Sequence, residues 1–177
     1  MIISEKILRD AMPKIKTINV VKYLPHLQSI LPLYGIDTPL RIAHFLAQVG
    51  HESLDFFYYR EEGTGMQYEK RKDLGNIYPG DGAKFKGRGC IQITGRENYK
   101  NFSLDFFKDT RLLDFPELVE LPENGIAAAC WFWKTRKLNI FADKDDLYTI
   151  TKKINGGTNG FQDRKARLAT AKKALNL

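Results

Sequence analysis

Between Thr38 and Glu61 the chain passes from a capped amphipathic helix into a block of aromatics and two adjacent acids, and no other segment constrains the fold as tightly. Thr38 supplies a capping hydroxyl, and Pro39 suits the first helical position, where its missing N–H is not needed. The spacing predicts a helix over 39–52 with Leu40, Ala43, Leu46, Ala47 and Gly50 turned inward. A second stripe is polar: His44, Gln48 and Glu52 stand at i, i+4 and i+8, with His51 beside Gln48. Such a helix, apolar on one face and polar on the other, is expected to wall a wet cleft. It needs a real core behind it, and 177 residues, 43% of them apolar, provide one as a single domain over 1–177.

The other elements read as mainly helical. Ser4 caps a short helix that Pro13 ends, and Asn19 is placed to cap a second running towards Tyr34, broken or kinked at Pro25 and Pro32 and closed by Gly35. Further helices are predicted near 97–107, 124–134, 145–154 and 161–175. Residues 56–60 are aromatic and β-prone, so a short strand or hairpin arm is expected there. The stretch 63–89 holds seven glycines and one proline, which predicts a long ordered loop of the kind that carries function. The fold class is therefore mainly α (α+β), with a small β element beside the acids. Trp131, Phe132 and Trp133, after an alanine run, are assigned to the core.

Several functions are excluded or ranked low. The N-terminal run MIISEKILRDAMPKIK breaks its apolar residues with charge, so no secretory leader is expected, and no window approaches the roughly 18 apolar residues of a membrane span. Synthesis in the cytoplasm is the expectation. Cys90 and Cys130 are expected to be reduced and buried. The net charge of +7 favours a polyanion; the basic residues are scattered and match no nucleic-acid-binding pattern, an anionic cell envelope suits equally well, and a solvated basic surface is the plain alternative. His51-Glu52 lacks the second histidine at i+4 of a metalloprotease helix, since position 55 is Asp55; no metal and no other cofactor is expected. Gly87-Arg88-Gly89 lacks the spacing of a phosphate loop, and its glycines are read as letting backbone pass close to a ligand or another segment.

What remains is two carboxylates with a groove of amides, hydroxyls and aromatic faces. Glycoside hydrolysis needs one acid to protonate the leaving oxygen and one carboxylate to activate water. Glu52 and Glu61 are the candidates, with Glu62 left open as an alternative to Glu61. In 91–94 the pattern alternates, with Ile91 and Ile93 as anchors while Gln92 and Thr94 face the cleft. Tyr58, Tyr59, Tyr68 and Tyr78 offer faces for sugar rings or for packing.

These motifs resemble glycoside hydrolase family 19, the family of plant-type chitinases and of a compact branch of bacteriophage endolysins. The resemblance rests on Phe45-Leu46-Ala47-Gln48 through His51-Glu52, on GRGCIQIT over 87–94 and on the turn Asn155-Gly156-Gly157, and it extends from about residue 33 to the C-terminus. YEKRKDLGN over 68–76 and GDGAKFKGRG over 80–89 look like the endolysin branch. The resemblance implies a lysozyme-like, two-lobed helical domain and hydrolysis with inversion. It implies Glu52 as general acid, Glu61 as general base and Thr94 as a holder of the attacking water. It also implies Gln92, Asn98 and Asn155 as substrate contacts, Arg164 as an arginine near the acid, and His51 as a further binding residue. Where chitinase members carry another acid after the turn, this chain reads Thr158-Asn159-Gly160. The expectation is a monomeric enzyme cleaving β-1,4 bonds of peptidoglycan, acting in the periplasm or cell wall after holin-type release or secretion. A chitinase is the alternative, and a non-catalytic cell-wall-binding module ranks below it.

Overall fold

A computed structural model describes residues 3–177; Met1 and Ile2, which open the charge-broken run above, lie outside the described residues. The chain is mainly α: α1 Glu5–Ala11, α2 Thr17–Ile30, α3 Pro39–Ser53, α4 Asp81–Lys84, α5 Arg96–Phe106, α6 Pro122–Thr135, α7 Asn139–Ala142, α8 Leu147–Asn155 and α9 Phe161–Ala174. The caps act as their side chains dictate. Ser4 Oγ accepts from the Ile7 N–H, and Thr38 Oγ1 from the Arg41 N–H. Each such cap is worth about 1 kcal/mol.

α3 is the axis of the molecule. From Ile42 to Gly50 every residue is buried, and the helix lies along α9, which also packs on α1. α6 is buried on all sides between Asn124 and Trp133, as an apolar helix without a polar face must be, and it packs on α2 and α5. Phe45 of α3 meets Trp133 of α6 edge to face at 5.5 Å, joining the two. Trp131, Phe132 and Trp133 are core residues, and Cys90 and Cys130 are free and buried.

Three expectations are corrected. Asn19 does not cap α2; the helix begins at Thr17, and Asn19 is a buried residue within it that donates to the Phe56 carbonyl at 3.0 Å. Pro25 sits inside α2 without ending it, because Val21, whose carbonyl it cannot serve, lies on the exposed face. Residues 56–60 form no strand arm. Leu54, Asp55 and Phe56 all have positive φ, which turns the chain back on itself, and pairing is reduced to isolated bridges from Arg88 to Arg60 and to Ile93.

The glycine-rich stretch is ordered by a knot of polar side chains. Asp81, buried, takes two hydrogen bonds from Arg96 at 2.7 and 2.9 Å and two more from the Ile77 and Tyr78 N–H groups. Burial pushes its carboxyl up, but Arg96 and those N–H donors outweigh it and hold it below the usual carboxylate range. Asn76 accepts from the Arg96 N–H and donates to the Tyr68 carbonyl. A stretch with only short helical turns, α4 among them, is thereby pinned to the start of α5. No helix among the described residues is long and apolar enough to cross a membrane.

Candidate active site

Glu52 occupies the last turn of α3, and the chain leaves it by an unusual path. Residues 54–56 take φ of 49°, 55° and 63°, a left-handed run costing about 1–2 kcal/mol per residue. The run is over-determined by its surroundings. Ser53 Oγ accepts from the Phe56 N–H, the Phe56 ring stacks on Tyr23 at 4.4 Å, and Asp55 pairs with Arg167. The Tyr58 N–H then returns to the Ser53 carbonyl at 2.8 Å. From Tyr58 to Glu61 the chain spans at most about 11 Å, so the second acid is tethered close to the helix end that carries the first.

Glu61 lies in a cradle. Its N–H donates to the Gly87 carbonyl at 2.9 Å, and the Gly87 N–H donates to Glu61 Oε2 at 3.1 Å. Oε1 accepts from Gln67 at 2.7 Å and from the Tyr68 hydroxyl at 3.2 Å. Burial raises the Tyr68 phenol, and the Glu61 charge raises it further, so it stays a donor. Glu62 is exposed and has no such holders among the described residues. A carboxylate offers about four lone-pair sites, so three donors leave one, on Oε2.

Gly87 explains its own identity. A Cβ there would stand 2.8 Å from Gln92 Oε1 and 3.2 Å from Glu61 Oε2, so both side chains converge on the space a larger residue would fill. The loop is fixed by buried Arg88, which donates to Glu120 and to the Lys84 and Lys86 carbonyls. Ile91 and Ile93 are buried anchors, but the segment is a turn rather than a strand, with Gln92 at φ 55°. Gln92 donates to the Gly89 carbonyl, Thr94 to the Gln92 carbonyl and Asn98 to the Thr94 carbonyl. Gln92, Thr94 and Asn98 are thus chained to one another, and Gln92 Oε1 stands beside Glu61 at Gly87.

The second cluster surrounds Glu52. Arg164 of α9 is fully buried; it donates to Glu52 Oε1 and to Gln48 Oε1, each at 2.5 Å, and to the Asn159 carbonyl at 3.4 Å. Glu52 Oε2 makes no hydrogen bond among the described residues. His51 Nδ1 lies 2.7 Å from Asp163, which Arg167 also grips. Against this ring Gly160, at φ 71°, leaves no room: a Cβ would stand 2.2 Å from His51 Cε1. The polar stripe of α3 is therefore not a wet wall. His44 and Gln48 are buried against α8 and α9, bonded to Asp145 and to Thr151 and Arg164, and only the His51–Glu52 end reaches solvent. Asn155 is exposed at the end of α8 and joins neither cluster. Gln67, Tyr68 and Asp163 carry the two acids or their neighbour and were not singled out for those roles from sequence, because hydrogen bonding to a particular carboxylate leaves no periodic signal. No group of three or more metal-ligating side chains lies together among the described residues.

Helices on two sides of an ordered loop lobe, with an acid at the end of a buried helix, define the lysozyme-like, mainly α class. Chitinase C from Streptomyces griseus has this fold, with a TM-score of 0.80 at 22% identity over 99% of this chain and 93% of that one. No protein-family model matches. A glycosyl hydrolase family 19 domain-containing protein of Haemophilus influenzae is 30% identical over 161 aligned positions, covering 73% of this chain and 78% of that protein. An endochitinase of Arabidopsis thaliana is 35% identical over 133 positions, but the chain spans only 44% of its length. The chain belongs to glycoside hydrolase family 19.

Proposed function

We propose that the protein hydrolyses β-1,4 bonds of peptidoglycan with inversion, Glu52 acting as general acid and Glu61 as general base. The observation that carries the reading is the division of labour on the two carboxylates. Glu61 has three donors and one remaining lone pair on Oε2, which suits a single attacking water, with Gln92 Oε1 beside it. Glu52 has one oxygen held by Arg164 and the other free to carry and deliver a proton. An inverting enzyme separates the two carboxyls by about 6.5–9.5 Å so that this water fits between base and sugar.

The peptidoglycan preference is supported by the segments 68–76 and 80–89, which resemble endolysins and which supply Tyr68 and Gly87 to the base. Thr158-Asn159-Gly160, where an acid is expected of chitinases, supports it too, as Arg164 there meets only a backbone carbonyl. The charge of +7 suits an anionic envelope, reached from the cytoplasm by a holin-type pore or a secretion route. A chitinase is the second reading, favoured by the names of the plant relatives.

The first test is Glu52→Gln and Glu61→Gln, each expected to lower kcat on peptidoglycan by about 10²–10⁴. Sugar release is followed with mass spectrometry of the new reducing end, and the anomer by early-time NMR. Parental rates in both variants would overturn the assignment of the two acids, whereas a parent that binds the wall and releases no sugar would leave a wall-binding module. Release from chitin oligomers but not from peptidoglycan would select the chitinase.

A further inference from the structure

Beside Glu61 opens a cleft of about 390 Å³ whose lining is ill-suited to a neutral polymer. Phe57, Tyr58 and Tyr59 contribute one wall, and they are 44%, 41% and 48% exposed. Three consecutive exposed aromatics next to a proposed base point to a ligand surface rather than to packing. The Phe57 and Tyr58 rings brace each other edge to face at 4.9 Å, and Lys16 Nζ covers the Phe57 ring at 4.4 Å.

The cations of this cleft are only partly engaged. Arg60 makes a long ion pair with Glu120 at 4.0 Å, without a hydrogen bond, while Arg88 holds the other oxygen of Glu120 at 2.9 Å. Lys86 gives one of its three hydrogens to the Gly63 carbonyl at 2.8 Å and keeps two. On the acidic side Glu61 is held by its three donors, while Glu62 is exposed and has no hydrogen bond or ion pair among the described residues. The cleft therefore presents a guanidinium held only by a long ion pair, an ammonium with two hydrogens left to give, and the Glu62 carboxylate around aromatic faces. A homopolymer of N-acetylated amino sugar carries no charge to meet either sign. A glycan whose sugars bear short peptides carries free carboxylates and, at an amino-acid side chain, an ammonium group.

We infer that this cleft holds the peptide substituent of the glycan strand, with Arg60 and Lys86 taking its carboxylates, Glu62 its amine, and the aromatic wall its apolar side chains. The inference rests on the proposed peptidoglycan activity and specifies which part of that substrate the cleft selects. It also gives Glu61 and Glu62, adjacent in sequence, separate tasks.

The experiment compares two glycans, peptidoglycan with its peptide stems intact and the same material stripped of them by an amidase. The readout is kcat/KM for reducing-end release. Wild type is expected to prefer the stem-bearing form. The ratio between the two substrates is expected to fall by about fivefold in Arg60→Gln/Glu62→Gln, the scale of one or two exposed charge pairs. Both positions are exposed, and equal thermal midpoints in variant and parent confirm that the fold is kept. An unchanged ratio in the variant, or a wild type that prefers stripped glycan, overturns the inference and leaves the glycosidase reading intact. A wild type that releases sugar from neither glycan overturns the proposed peptidoglycan activity, and the inference with it.

Discussion

At the scale of single residues, the proposed base is defined by what surrounds it more than by its own position in the chain. Two glutamates nine apart occur in any helical protein; a glutamate that holds Gly87, Gln67 and Tyr68 together is a placed group. Gly87 gives the sharpest test, because its backbone makes no demand for a positive φ and only the space around it is at stake. Gly87→Ala puts a methyl 2.8 Å from Gln92 Oε1 and 3.2 Å from Glu61 Oε2, and both contacts are flexible side-chain ends that can swing aside. The fold is therefore expected to survive with little change in stability. Displacement of the base by about 1 Å is expected to lower kcat by about 10²-fold. Paired measurements of kcat and thermal midpoint check this, and a variant with parental kcat would remove Gly87 from the account. The glycine was legible in the sequence as a close-approach position. The convergence of Gln92 and Glu61 on it was not, because Glu61 arrives from the other side of the glycine-rich loop.

At the scale of elements, the seam between α3 and α9 does what an apolar interface would not. Sequence periodicity gave α3 its polar stripe correctly but assigned that stripe to water, since periodicity reports that a face is polar and not what covers it. The covering comes from α9, more than a hundred residues later, whose Arg164 satisfies Gln48 and Glu52 together. The longer helices were legible within a few residues, because caps at Ser4 and Thr38 and the apolar spacing are local, whereas the single-turn α4 and α7 are too short to show a period. The loop over 63–89 was recognised as ordered, but its fastening through Asp81, Asn76 and Arg96 was not, as that knot needs three-dimensional proximity. Arg164→Met fills comparable volume but leaves Gln48 and the Glu52 carboxylate without their donor. The expected loss is about 2 kcal/mol, the scale of leaving polar groups at a mostly buried seam without their donor. Adding Glu52→Gln should return part of it, a coupling that a double-mutant cycle in urea reads directly. Simple additivity would mean that the two side chains do not depend on each other.

At the scale of the whole molecule, the same seam continues past the site into a titratable pair, a buried histidine and an exposed aspartate, that links α3, the turn before α8, and α9. His44, fully buried, lies 2.8 Å from Asp145, and Lys172 of α9 closes on the other oxygen of that carboxylate. Burial lowers the His44 imidazole, against the raising effect of Asp145, and its Nδ1 has no hydrogen-bond partner among the described residues. Asp145 is pushed up by burial, but its hydrogen bonds from Lys172 and His44 outweigh this and hold it below the usual range. Both shifts act in one direction. An unfolded histidine takes a proton near pH 6.5, whereas folded His44 resists it, so below about that pH the unfolded chain binds more protons and stability falls. Asp145 adds a further loss at lower pH, since stability from a depressed carboxyl is present above the unfolded value near 3.9 and disappears as pH drops through the folded one. Stability is therefore expected to be level between about pH 7 and 8, to decline from about 6.5, and to decline again below about 4. His44→Gln keeps a hydrogen-bonding group facing Asp145 but cannot charge, so it should abolish the first decline and spare the second. Denaturant midpoints across pH for the parent and this variant decide the matter, and an identical pH profile in the two would show that His44 does not couple proton uptake to unfolding.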